Sequence, residues 1–277
     1  MNKINHFEAD ENFESIIHTI FPKQTVKSIR NIAIGWTICV FEVSTTNGNF
    51  FCRFPRDPFW GKMIIRDAAF CQYIKGRISF QTPDMKLEYH KGRPFSVHKK
   101  IEGDCLGEKL EDLTLKDMRK VAKGYAQFVV EISNLPINEL PPECKTSNFE
   151  FLDELCSSHF INMYHWKRDF FEKYDDKHHI VHGDFNSNNA IVDKDNNVIG
   201  ILDFCFAGTG DPYGDVARMI GRMPNSFRSI MIDEYAKKLD MPINMKKLEG
   251  FIHAWKEIDA GYIEYMRANC PEIELPA

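Results

Sequence analysis

The 277-residue chain has no apolar run approaching the ~18 residues that a membrane-spanning helix needs, which excludes a helical membrane protein. Its eight cysteines are dispersed and include no C-x-x-C pair. That pattern excludes tetrathiolate zinc modules and disulfide-stapled scaffolds, and it reads as reduced thiols in a cytoplasmic protein. There is no G-x-x-x-x-G-K-S/T phosphate loop and no G-x-S-x-G elbow, so P-loop ATPases and α/β-hydrolases are excluded. Glycine and proline number 16 and 13, scattered without period, which rules out collagen-like and low-complexity chains. The first sixteen residues carry Glu8, Asp10, Glu11 and Glu14 and no greasy stretch, unlike a secretory signal or a mitochondrial presequence.

Hydrophobic residues make up 43% and charged residues 27%, enough for a sizeable core in one large domain or two lobes. The net charge of −5 is unevenly spread. Residues 1–103 hold 15 basic against 10 acidic side chains, and residues 104–277 hold 20 against 30. A basic half beside an acidic half suits an anion on the first part and a cation or metal on the second, although solvated faces differing by chance would give the same counts. Overall acidity argues against a nucleic-acid binder.

Periodicity divides the chain in the same place. Ser28 to Val43 and Asn49 to Phe54 are rich in aromatic and β-branched residues and flank the turn-like Thr45-Thr46-Asn47-Gly48. They read as a β-hairpin with Gly35 in its first strand, where a lone glycine implies a bulge. A helix is expected around 62–73, then a strand pair over 86–89 and 94–100. Helices follow over 117–133, 148–174, 227–239 and 245–267, on apolar residues recurring at helical spacing. Set among them, Ala190-Ile191-Val192 and Val198 to Phe204 flank the polar turn 194–197 and read as another hairpin. A sheet first and helices later make an α+β chain with two lobes.

Chemistry concentrates in His182-Gly183-Asp184-Phe185-Asn186-Ser187-Asn188-Asn189 and Gly200-Ile201-Leu202-Asp203-Phe204. Phosphoryl transfer needs a carboxylate for the proton of an attacking hydroxyl, and hard oxygen donors to hold Mg²⁺ against phosphates. Asp184 and Asn189 stand five residues apart, the spacing of a kinase base and its metal-binding Asn, and Asp203 supplies a second acidic ligand from a separate strand. His178, His179 and His182 cluster, but no Cys or carboxylate lies at zinc-ligand spacing. Gly208-Thr209-Gly210 lacks the third glycine of a dinucleotide fingerprint.

Together with Gly210-Asp211-Pro212-Tyr213-Gly214-Asp215-Val216-Ala217, these motifs resemble the aminoglycoside phosphotransferase family, kin to choline and protein kinases. Upstream, Gly35-Trp36 and Cys52-Arg53-Phe54-Pro55-Arg56 resemble the nucleotide-binding strands of the aminoglycoside 2″- and macrolide 2′-phosphotransferase branches, and Pro94 to Gly103 resembles the family's hinge. The resemblance implies a two-lobed, protein-kinase-like α+β fold. Its nucleotide lobe would span 1–98, its hinge 99–103, and its catalytic and substrate lobe 104–277. By the same resemblance Asp184 is the catalytic base, Asn189 and Asp203 bind Mg²⁺, and His182 braces the loop. Asp215 fixes that loop from behind, although a helix N-cap would also account for it. Gly35 belongs to the phosphate loop, and the backbone at Lys99 and Ile101 pairs with the purine of ATP or GTP.

The family usually places a Lys on the third strand and a Glu on the following helix; Arg53 and Asp67 stand at those positions. A longer cation and a shorter acid can still meet, and arginine grips phosphate bidentately. The departure also leaves room for a pseudokinase that binds nucleotide without turnover, and a surface strand cation is the plain alternative for Arg53. The expected acceptor is a small-molecule hydroxyl on an aminoglycoside-type cation, with macrolide, choline or sugar acceptors as alternatives. Glu257, Asp259 and Glu264, among other late acids (Asp233, Glu234), are candidates for contacts to its amines, and ordinary exposed charge is the default for each. Trp255, Tyr262 and Tyr265 read as core before cage. No membrane partner is expected, and the chain reads as a monomer or weak dimer.

Overall fold

The computed structural model describes residues 13–34, 38–55, 58–148, 150, 154, 173 and 177–269. Gly35 and nearly all of the helix expected over 148–174 lie outside the described residues. In chain order the elements are α1 (Phe13–Ile20), β1 (Val26–Ile34), β2 (Ile38–Thr45), β3 (Gly48–Pro55), α2 (Pro58–Ile74), β4 (Lys86–His90) and β5 (Arg93–Lys99). These are followed by β6 (Asp104–Cys105), α3 (Leu115–Ser133), β7 (Ile180–Val181), β8 (Ala190–Val192), β9 (Val198–Ile201), β10 (Gly208–Thr209), α4 (Pro212–Gly221), α5 (Phe227–Leu239) and α6 (Met245–Asn269). The architecture is α+β and two-lobed.

The first lobe is an antiparallel sheet in the order β1-β2-β3-β5-β4. The apolar run over 28–43, expected as one strand, is two strands paired Ile29↔Val43 and Ile34↔Cys39. Both strands share an apolar, β-branched composition, so nothing in the residue pattern marks the reversal between them. Alternation gives the sheet two faces. Cys52 and Phe54 of β3 and Phe95 and Val97 of β5 join Ile16, Ile17 and Phe21 in a small core. Phe51 and Arg53, opposite His98 and Ser96 in register, face the other way.

The second lobe is built on α3. Thr114 and Asp117 form a reciprocal capping box at its start, which satisfies two orphan N–H groups. Its apolar stripe, from Met118 through Tyr125 to Ile132, is buried. The expected hairpin appears as β8–β9, tied by Asp193 Oδ1, which accepts from the backbone N–H groups of Asp195 and Asn197. Its second strand stops at Ile201, short of the expected Phe204, because Asp203 takes a left-handed φ of 62° that no strand tolerates.

α2 lies between β3 and β4 in sequence, yet Phe70, Cys71, Tyr73 and Ile74 on its second half belong to the larger core around α3. Arg66 completes the attachment. Its guanidinium, with the residue only 2% exposed, donates to the carbonyls of Ala207 (2.8 Å), Glu143 (2.8 Å) and Thr146 (3.1 Å).

Candidate active site

The loop between β7 and β8 is held from below. Asp215, buried in the first turns of α4, accepts the backbone N–H groups of His182 (2.7 Å) and Gly183 (2.8 Å). It is not the helix N-cap. Asp211 fills that position and accepts from the Tyr213 N–H at 3.0 Å. Burial raises the Asp215 pKa, and the two backbone donors together with the nearby His182 only partly offset it.

His182 links two loops. Its Nε2 lies 2.9 Å from the Leu202 carbonyl and its Nδ1 lies 3.3 Å from the Asp184 N–H. A carbonyl can only accept and an amide N–H can only donate, so the ring carries its proton on Nε2. The Leu202 N–H in turn donates to the Asn189 carbonyl at 2.8 Å. These bonds set Asp203, the next residue, beside the loop that carries Asp184 and Asn189.

Asn189 donates its amide Nδ2 to the Asp184 carbonyl at 2.8 Å, as Asn186 does at 2.9 Å. The Asn189 amide oxygen is thereby the atom left to meet a cation. Asp203 keeps 36% of its side chain exposed, with Oδ1 accepting from Arg53 at 3.0 Å. Burial works most strongly against its charge, but the Arg53 charge and hydrogen bond, the Cys205 hydrogen bond and the nearby His182 together outweigh it and hold the carboxyl below the ordinary range. Among the described residues no group of three or more His, Cys, Asp and Glu forms a metal cluster. The available donors are one amide oxygen and one carboxylate, hard ligands of the kind that share Mg²⁺ with phosphates.

Arg53 is no surface cation. It is 8% exposed and pairs with the fully buried Asp67 of α2 as well as with Asp203. The second oxygen of Asp67 accepts the Phe204 N–H at 3.0 Å. One arginine thus joins the sheet, α2 and the Asp203 loop. Lys99 ends β5 with an exposed side chain, and Ile101 is half-buried beside Gly200.

The acids assigned to the acceptor differ in situation. Asp259 Oδ1 accepts from Arg218 (2.6 Å) and Arg222 (2.9 Å). Glu257 lies 3.4 Å from His253, and Glu264 is exposed. Trp255 is 6% exposed and donates to the Gly214 carbonyl at 3.0 Å. The side chains of Tyr262 and Tyr265 lie outside the described residues.

A family model described as "Phosphotransferase enzyme family" matches residues 28–251. The chain belongs to this family. A sequence comparison with curated proteins gave no match. Among solved structures, the GDP and kanamycin complex of APH(2")-IIia superposes with a TM-score of 0.75 at 18% identity, over 94% of this chain and 93% of that one. The streptomycin–ATP complex of APH(2")-IIa gives 0.63 at 18%, over 90% and 89%. Macrolide 2'-phosphotransferase MphH from Brachybacterium faecium gives 0.64 at 14%, over 95% and 99%. At such identities the likeness is one of fold.

For a phosphotransferase, the residue that the sequence pattern missed is Arg218. From α4 its Nε donates to Asp184 Oδ1 at 2.8 Å, and its guanidinium lies 4.7 Å from the centre of the Trp255 ring. It follows directly on the motif that ends at Ala217 but is not part of it, and 34 residues separate it from Asp184.

Proposed function

We propose that the protein is a small-molecule kinase that transfers the γ-phosphoryl group of ATP or GTP to a hydroxyl of an aminoglycoside-type acceptor. One observation carries the reading. The bonds through Leu202 and His182 bring Asp184, Asn189 and Asp203 to one place, with Arg53 beside them. Separate strands and loops converge there on the donor set that phosphoryl transfer uses.

In this reading Asp184 orients the acceptor hydroxyl and receives its proton. Arg53, held by Asp67, steadies Asp203 and faces the nucleotide side. Asn189 and Asp203 would hold Mg²⁺, which when bound neutralises the phosphates. The backbone at Lys99 and Ile101, in the stretch between β5 and β6 that serves as hinge between lobes 1–98 and 104–277, would meet the purine. The nucleotides named in the structures above, GDP and ATP, agree with either donor. Kanamycin and streptomycin in the same structures, with the acidic second half of the chain, favour a polycationic acceptor. Glu257 and Glu264 remain candidates for its amines, whereas the charge of Asp259 is already engaged by two arginines.

The test is Mg²⁺-dependent release of nucleoside diphosphate from ATP and GTP in turn, against aminoglycosides, macrolides, choline and simple sugars, with Asp184→Asn as control. Aminoglycoside-stimulated turnover that the control abolishes is the expected result. Stimulation by another class moves the acceptor assignment. Nucleotide binding with no turnover against any acceptor selects the pseudokinase.

A further inference from the structure

Between Asp184 and Asn189 the loop reads Phe185-Asn186-Ser187-Asn188 and contains no cation. A site that gathers phosphate charge around an ionised base has use for one close by. Here it arrives from outside the loop. Arg218 donates through Nε to Asp184 Oδ1 and through a terminal nitrogen to Asp259 Oδ1, which Arg222 also contacts. The plane of the guanidinium is fixed from another side by Trp255, whose own ring is pinned by its bond to the Gly214 carbonyl. The three side chains Arg218, Asp184 and Asp259 are 12%, 27% and 25% exposed, so water screens these contacts far less than it would on an open surface.

We propose that Arg218 is a positioning residue for phosphoryl transfer, fixing the Asp184 carboxylate through Oδ1 so that its other oxygen is presented to the acceptor hydroxyl. The inference rests on Asp184 being the base. Asp184 sits on a short loop whose other bonds all engage its backbone: the amides of Asn186 and Asn189 reach its carbonyl, and its N–H reaches His182. Among the described residues, Arg218 is the group that orients the carboxylate itself. The arrangement also explains why Asp259 is engaged. Without it, one edge of the guanidinium would be left to water and the fork could swing away from Asp184.

A purely structural Arg218, merely tying α4 to α6 through Asp259, would affect stability and leave the chemical step alone. Steady-state kinetics of Arg218→Ala and Arg218→Lys, beside Asp184→Asn and with melting temperatures recorded, separate the two roles. Loss of orientation is expected to lower kcat of Arg218→Ala about 100-fold, the cost of a reacting group displaced by roughly 1 Å. The KM values for nucleotide and acceptor should stay within about twofold, because binding is not what is lost. Arg218→Lys keeps the charge without the fork and recovers part of kcat, and guanidinium ion added to Arg218→Ala does the same. Wild-type kcat in Arg218→Ala, with Asp184→Asn inactive, overturns the inference. So does a loss that follows the melting temperature and responds to neither lysine nor guanidinium. Full turnover by Asp184→Asn overturns the assignment of the base instead. Should Arg218→Ala fail to fold, Arg218→Gln takes its place under the same criteria.

Discussion

Arg53 on β3 and Asp67 on α2 form an ion pair in the interior, with the aspartate wholly inaccessible to solvent. In this chain they stand where the resemblance calls for Lys and Glu. The exchange moves length from the acid to the cation while keeping the combined reach similar. Each single reversion should therefore fail, since Arg53→Lys leaves a gap and Asp67→Glu overfills a closed space. The double variant Arg53→Lys/Asp67→Glu should recover most of the activity. Nucleotide KM and kcat of the three proteins check this, with losses of about tenfold or more expected for the singles.

Asp215 takes two backbone N–H groups with its two oxygens. An asparagine has one accepting oxygen and would leave one buried donor unsatisfied, at a cost of about 1–3 kcal/mol. Urea denaturation of Asp215→Asn should show that loss. Phosphoryl transfer should fall as well, because the released donors belong to the two residues immediately before Asp184.

Two glycines should respond to alanine in opposite ways. Gly183 has φ +83°, and a Cβ there would fall on Asn148 Nδ2 and the Phe206 carbonyl. Asn148 itself donates to that carbonyl at 2.9 Å, so neither neighbour can give way freely. Gly183→Ala should cost several kcal/mol or prevent folding. Gly221, at the end of α4, has nothing within 4 Å of the added carbon. Its alanine variant should be neutral or gain up to about 1 kcal/mol through the unfolded chain. Thermal melts of the two proteins suffice.

His98 is 5% exposed, and burial together with the charge of Arg53 lowers its pKa to about 4. An unfolded histidine titrates near 6.5. Between those values the unfolded chain binds a proton that the folded one refuses, so stability is lost as pH falls from about 6.5 towards 4. The full loss is on the order of 3 kcal/mol. His98→Gln removes this component. Urea midpoints at pH 7 and pH 5 should therefore show a smaller pH-dependent drop in the variant than in the wild type.

Much of the site was legible because its residues are close in sequence. Asp184, Asn189 and the strand leading to Asp203 form one short block, and α3 announced itself by a regular apolar stripe. Arg218 was not legible, since its bond to Asp184 depends on where α4 passes, which no local pattern records. For the same reason Asp259 read as a free acid, although two arginines hold it. The reversal between β1 and β2 was hidden by the apolar, β-branched composition that both strands share, and the left-handed turn at Asp203 by the apolar residues on either side of it, Leu202 and Phe204.

The attachment of α2 has a mechanical consequence. Arg66 fastens this helix to three carbonyls of the opposite lobe, and its apolar half is embedded there. Because the same helix also packs against β3 and β5, it is held from both sides, and any displacement of the sheet relative to the second lobe has to work against one of its two attachments. The Arg53–Asp67 pair is the ionic part of the attachment on the sheet side, as Arg66 is the polar part on the other.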